Sequence, residues 1–164
     1  MIVEYTPVFE ANKSAYESGK YRFIGNEGSS RSSKSYSLAQ LMVVICMTSK
    51  KEISVVSSSL PHLKRGAMKD ILDVMKTWQV YREKNHNKTD NIIRFPKTGA
   101  QIEFFGTEET DKLQGPGRDI LWLNEMPLIK QASYIQLAMR TKETIFGDWN
   151  PADEFSYVYK LADD

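Results

Sequence analysis

One cysteine, Cys46, is all the thiol this chain has, so no internal disulfide can form. It sits in the apolar run Leu41–Met47 and reads as a buried, inert thiol in a reducing cytoplasm. Histidine is almost as scarce: His62 and His86 stand far apart with no neighbouring ligands at metal spacing, which suits surface or capping roles. No Ser-His-Asp or Cys-His arrangement has support from spacing. No apolar run approaches the roughly 20 residues that cross a bilayer, so no membrane partner is expected. Met1–Ala11 carries Glu4 and Glu10 and lacks the basic-then-apolar pattern of a secretory signal. Neither sign of charge dominates. A net charge of +1 neither demands nor excludes a polyanionic partner, because binding depends on where charges cluster. Internal repeats are absent, and the 164 residues allow one domain with a real core but not two of ordinary size.

What is present alternates between strand-like and helix-like segments. Tyr21–Gly25 is a short β-rich run, and Gly28–Ser33 is a polar loop. From Lys34 the pattern turns helical, with Leu38, Leu41, Met42 and Ile45 on one face. Glu52–Ser57 is β-branched and strand-like. Leu60–Val80, with Pro61 near its start, predicts one long helix. Tyr81–Asp90 is polar and loop-like, while Asn91–Phe95 and Ala100–Phe105 flank a Pro96–Gly99 turn and predict a hairpin. Arg118–Asn124 is a nearly unbroken apolar run, as suits a strand buried on both faces. Ser133–Thr141 predicts a helix, Glu143–Gly147 a strand, and a last helix is expected from about Asp153 after Pro151. Trp78, Trp122 and Trp149 read as core or partly buried anchors. Such alternation indicates an α/β domain with a mostly parallel central sheet flanked by helices.

The segment Gly28-Ser29-Ser30-Arg31-Ser32-Ser33-Lys34-Ser35 lies between a strand and a helix, where a phosphate-binding loop belongs. It matches the glycine, four residues, glycine-lysine-serine pattern except for Ser33 in place of the second glycine. Small residues let backbone N–H groups turn inward around phosphates, and the helix that follows adds its positive end. Lys34 would reach the terminal phosphates and the Ser35 hydroxyl would ligate Mg²⁺. The ATP-binding run then extends from Gly28 to Tyr36. A serine-rich loop that merely caps a helix has the same composition.

A second motif bears on that choice. Asp119–Glu125 is an apolar strand ending in Asn124 and Glu125, at the sheet edge where the loop would also lie. In P-loop ATPases the first residue of such a pair holds Mg²⁺ through water, and the second, a glutamate, orients the attacking water. Glu125 fits the second role. Asn124 stands where aspartate is usual: its amide can hydrogen-bond a metal-bound water but carries no charge.

The loop GSSRSSKSYS, the segment FFGTEETDKLQGPGRDILWLNE and GDWNP together resemble the large subunit of bacteriophage terminases, from Tyr21 to Pro151. That resemblance implies a P-loop NTPase-like fold and a motor that uses ATP and Mg²⁺ to package double-stranded DNA into a viral head. It also implies a host-cytoplasmic location, a homo-oligomeric ring, and partnership with a portal protein and a small terminase subunit. Such proteins carry a C-terminal nuclease domain for which this chain has no room, so residues 1–164 are expected to be the ATPase domain alone. Within GDWNP, Asp148 and Asn150 occupy the place of the coupling motif, with Asn150 the candidate sensor of the terminal phosphate. Many relatives have an arginine four residues before the loop lysine; Arg31, three before Lys34, is the candidate for that catalytic arginine. Arg118 is the candidate for an arginine acting on a neighbouring subunit, although an arginine leading into a strand also suits a solvated position. Lys64, Arg65, Lys69, Lys76, Arg82, Lys84 and Lys88 form either a DNA-phosphate face or a solvated one. A helicase-like or recombination ATPase, and a nucleotide-binding assembly module without turnover, share the two motifs.

Overall fold

The computed structural model describes residues 4–28, 34–151, 157–158 and 161. Seven strands among them form one sheet: β1 (Phe23–Glu27), β2 (Glu52–Ser57), β3 (His86–Asn87), β4 (Ile92–Phe95), β5 (Ala100–Gly106), β6 (Arg118–Leu123) and β7 (Thr141–Trp149). Their spatial order is β1-β7-β6-β2-β5-β4-β3. The first five positions in that order run parallel, and β4 and β3 add an antiparallel edge. The helices are α1 (Pro7–Ser18), α2 (Lys34–Thr48), α3 (Leu60–Arg65), α4 (Ala67–Thr77), α5 (Thr110–Leu113) and α6 (Gln131–Met139). This is the mostly parallel, helix-flanked sheet that the alternating pattern predicts.

The unbroken apolar run of β6 follows from burial on both faces. Ile120 and Trp122 join one core with α2, α4 and Phe9 of α1, while Leu121 and Leu123 join another with Leu137 of α6. All four are fully buried. Each such side chain contributes roughly 1.5–3 kcal/mol, and a one-residue slip would exchange the two sets. Register at the centre of the sheet is therefore strongly fixed, with Leu123 opposite Val56 of β2 and Gly147 of β7.

Several elements differ from the sequence pattern, among them β3, which falls within the loop expected over Tyr81–Asp90. Ahead of Tyr21, where the sequence pattern assigns no element, lies α1, capped by Thr6, begun by Pro7 and closed by Gly19 at φ 68°. It covers α2, which is why α2 buries residues on most of its circumference rather than on one stripe. The single helix expected over Leu60–Val80 is two, broken at Gly66. Strands β1 and β7 end two residues later than the β-rich runs suggest, so Asp148 lies within β7. The hairpin is as predicted, with Gly99 in the left-handed region at φ 83°. Of the last helix, Tyr157, Val158 and Leu161 are described, all helical. Cys46 is fully buried, and burial pushes its thiol pKa far above the ordinary value, as an inert thiol requires.

Candidate nucleotide site

The carboxyl ends of β1, β2, β6 and β7 meet at one edge of the sheet, and a cavity of about 380 Å³ opens there. Lys34 and Ser35 enter it from the first turn of α2, Asn124 and Glu125 from the end of β6, and Asp148 and Asn150 from the end of β7. The volume is that of an ordinary ligand pocket. A somewhat larger hollow of about 450 Å³ lies at the β3–β5 edge around Lys84, His86 and Arg94, remote from these residues.

Lys34 is buried, and its Nζ donates to the Gly28 carbonyl at 3.0 Å and to Asn150 Oδ1 at 3.0 Å. Thus Lys34 and Asn150, expected from two separate motifs, are in contact. Asp148, only 2% exposed, accepts from Trp122 Nε1 at 2.7 Å, from Asn124 Nδ2 at 3.1 Å and from the Glu125 backbone N–H at 3.0 Å. Burial holds its carboxyl pKa above the ordinary value, opposed by those three donors and the Lys34 charge. The Glu125 backbone sits in the left-handed region at φ 53°, and its side chain is half exposed at the cavity mouth, with His62 Nδ1 3.6 Å from Oε2. Both ends of the Asn124 amide are engaged within the protein: Nδ2 on Asp148, and Oδ1 on the Ala67 N–H at 3.1 Å, where α4 begins.

Sequence reasoning did not single out Asp70. Its Oδ2 accepts from Ser35 Oγ at 2.7 Å, and it lines the same cavity. Burial raises its pKa, opposed first by the Ser35 hydrogen bond and then by Lys69. An acid in the first turn of a helix is ordinary dipole complementarity, so nothing local marks it. Gly66 was equally silent. A β-carbon there would lie 2.6 Å from Asn124 Oδ1, so the close approach of the α3–α4 corner to the strand end requires glycine.

Ser29, Ser30, Arg31, Ser32 and Ser33 lie outside the described residues. Tyr36 is partly buried and packs against the main core. Arg118 requires a correction. It is 3% exposed at the amino end of β6, and its guanidinium donates to Ser54 Oγ at 3.0 Å and the Leu137 carbonyl at 3.1 Å. A side chain committed inside its own chain, about 20 Å along the strand from the site, is not presented to a neighbour. Trp78, Trp122 and Trp149 are buried, as expected.

Among the described residues no group of three His, Cys, Asp or Glu side chains could cage a metal ion. Mg²⁺ at nucleotide sites does not need one: it keeps waters and takes one or two protein oxygens plus phosphates. The hydroxyl of Ser35 and the carboxylate of Asp70 are hard oxygen donors of that kind. No described helix is long and apolar enough to cross a membrane.

A family model, phage terminase large subunit, matches residues 20–164. No curated protein matches the sequence. In structure, the chain superposes on the large terminase of a thermophilic bacteriophage with TM-score 0.78 at 18% identity, covering 98% of this chain and 44% of that one. The complex of that terminase with ADP gives TM-score 0.73 at 18% identity, over 98% and 43% of the two chains. The HK97 bacteriophage large terminase gives 0.77 at 9% identity, over 99% and 36%. The chain therefore spans less than half the length of these terminases, and at such identities the superposition speaks for fold alone. The family match covers most of the sequence: this chain belongs to the phage terminase large subunit family.

Proposed function

We propose that this chain is the ATP-hydrolysing motor domain of a viral DNA-packaging terminase, coupling Mg²⁺-ATP hydrolysis to movement of double-stranded DNA into a capsid. The observation that carries the reading is the convergence of Lys34, Ser35, Glu125 and Asn150 on one cavity at the carboxyl edge of the sheet. Lys34, with the segment 28–33, holds the phosphates, and Ser35 contributes a ligand to Mg²⁺. Glu125, held at the mouth with its side chain toward solvent, orients the attacking water. Bound Mg²⁺ would neutralise charge on the phosphate oxygens. Asn150 contacts Lys34 and so sits where loss of the terminal phosphate would be felt, at the end of β7. The ADP complex of the thermophilic phage terminase supports a nucleotide as ligand of this fold.

On this reading Lys64, Arg65 and Lys69, exposed on α3 and α4, are available to DNA phosphates, although Lys69 also pairs with Asp73 at 3.0 Å. A homo-oligomeric ring, a portal protein, a small terminase subunit and the host cytoplasm complete the proposal, with a nuclease domain belonging to the rest of the protein. The test is ATP turnover by the chain against Lys34→Ala and Glu125→Ala. A fall of roughly 10²–10⁴-fold in the Glu125 variant is expected for loss of a group that handles the attacking water. Equal turnover in all three proteins would sink the proposal.

A further inference from the structure

We propose that Asp70 supplies the negative charge for the divalent cation at this site, in place of the aspartate that usually ends the central strand. The inference rests on the nucleotide-site reading above and extends it to a residue that no sequence motif marks.

Among the described residues, four other carboxylate or amide groups line the cavity, three of them engaged within the protein and the fourth at its mouth. Asn124 is neutral, with its oxygen on the Ala67 N–H and its nitrogen on Asp148. Asn150 is neutral too, with its oxygen on Lys34. Asp148 is fully buried and closed over by the indole of Trp122, the Asn124 amide and the Glu125 backbone. Glu125 lies out at the mouth beside His62. Asp70 remains. It reaches the cavity from the first turn of α4 and holds Ser35 Oγ at 2.7 Å.

The direction of that hydrogen bond matters. A serine hydroxyl has one proton and two lone pairs. With its proton spent on the Asp70 carboxylate, Ser35 presents lone pairs alone to whatever else approaches, which is what a cation requires. The carboxylate also adds formal charge beside the hydroxyl and can accept from water held on the ion. A cation that keeps most of its water and uses one or two carboxylates fits this arrangement. Asp70 is thus a positioning residue: it acts through the Ser35 hydroxyl and through cation-bound water.

The α3–α4 corner explains how the carboxylate comes to be there. Gly66 lets α4 start against Asn124 Oδ1, and one turn later Asp70 faces Ser35. The amide at the strand end therefore anchors the helix that brings the charge. The aspartate function is divided between two residues: Asn124 sets the geometry and Asp70 carries the charge.

The experiment measures Mn²⁺ binding by electron paramagnetic resonance in the presence of saturating ADP, for the native chain and Asp70→Asn, and ADP binding in chelator for both. The expected result is about 10–100-fold weaker Mn²⁺ affinity in the variant, the usual cost of losing a partner that orients a metal ligand, with metal-free ADP affinity unchanged. Should Asp70→Asn fail to fold, as judged by circular dichroism, Asp70→Ser gives the same comparison with a smaller polar group. Equal Mn²⁺ affinity in native and variant chains that both bind ADP overturns the role of Asp70 and leaves the nucleotide site standing. Absence of ADP binding by the native chain, with or without Mn²⁺, overturns the nucleotide site and this inference together.

Discussion

The carboxylate of Asp148 accepts the backbone N–H of Glu125 at 3.0 Å, so the end of one strand fixes the backbone of the residue that leaves its neighbour. Glu125 is a non-glycine residue at φ 53°. That conformation costs roughly 1–3 kcal/mol and persists where its surroundings hold it, as the Asp148 hydrogen bond does here. The same carboxylate engages Trp122 and Asn124, so Asp148 links the end of β7 to the whole exit of β6.

Asp148→Asn tests this arrangement. Three donors point at the native carboxylate, and an amide offers only one oxygen, so at least one buried donor would face an NH₂ group. The expected loss is about 1–3 kcal/mol of stability, measured by urea unfolding, together with reduced ATP turnover as Glu125 loses its fixed backbone. A variant equal to the native chain in both measurements would mean that Asp148 is not the clamp.

Gly66→Ala addresses the helix break. The added methyl would stand 2.6 Å from Asn124 Oδ1 and 3.3 Å from the His62 carbonyl, so either α4 or the strand end must shift. Overpacking of this kind costs typically about 1–3 kcal/mol. The prediction is a lower urea midpoint; a midpoint equal to or above the native one would show that the corner relaxes freely.

Much of this was legible in the sequence, for identifiable reasons. The β6 strand announced itself because burial on both faces demands apolar residues at every position from Ile120 to Leu123. The place of Lys34 and Ser35 was legible because a β-rich run, a polar loop and a helical pattern follow one another there, which puts both residues in the first turn of α2. The rest depends on chain segments far apart in sequence. Asp70 reaches Ser35 across 35 residues and Asn124 reaches Ala67 across 57, and no local pattern encodes either contact. Arg118 misled for the same cause. An arginine before a strand is commonly solvated, but here Ser54 and the Leu137 carbonyl, both distant in sequence, bind it in the interior.

For Arg118 the expectation follows directly. Arg118→Ala leaves Ser54 Oγ and the Leu137 carbonyl without their charged donor, and hydrogen bonds to charged groups are worth roughly 1.5–3 kcal/mol. Burial depresses the guanidinium pKa, opposed by Glu103. The variant should lose stability by that amount in dilute solution, independent of protein concentration. A variant of native stability whose ATP turnover falls only at concentrations where chains associate would restore the neighbour-acting role.

His86 provides a pH dependence remote from the candidate nucleotide site. Its Nδ1 lies 2.7 Å from the Tyr81 hydroxyl, and its pKa is lowered, first by burial and then by the positive charge of Lys88, with Glu83 opposing and Lys76 adding. A histidine whose folded pKa lies below its unfolded value, about 6.5, takes up its proton more readily in the unfolded chain. Both states are neutral above that value, so the group exerts no pH-dependent effect there. As pH falls through the unfolded pKa toward the folded one, protons bind the unfolded state first and stability declines. His86→Gln removes the titration while keeping a polar group beside Tyr81. The native chain should therefore lose more stability than His86→Gln between about pH 8 and about pH 5.5, a window that brackets the unfolded pKa, in urea midpoints measured on both. Parallel curves for the two proteins would show that the histidine ionises as freely in the fold as in the unfolded chain.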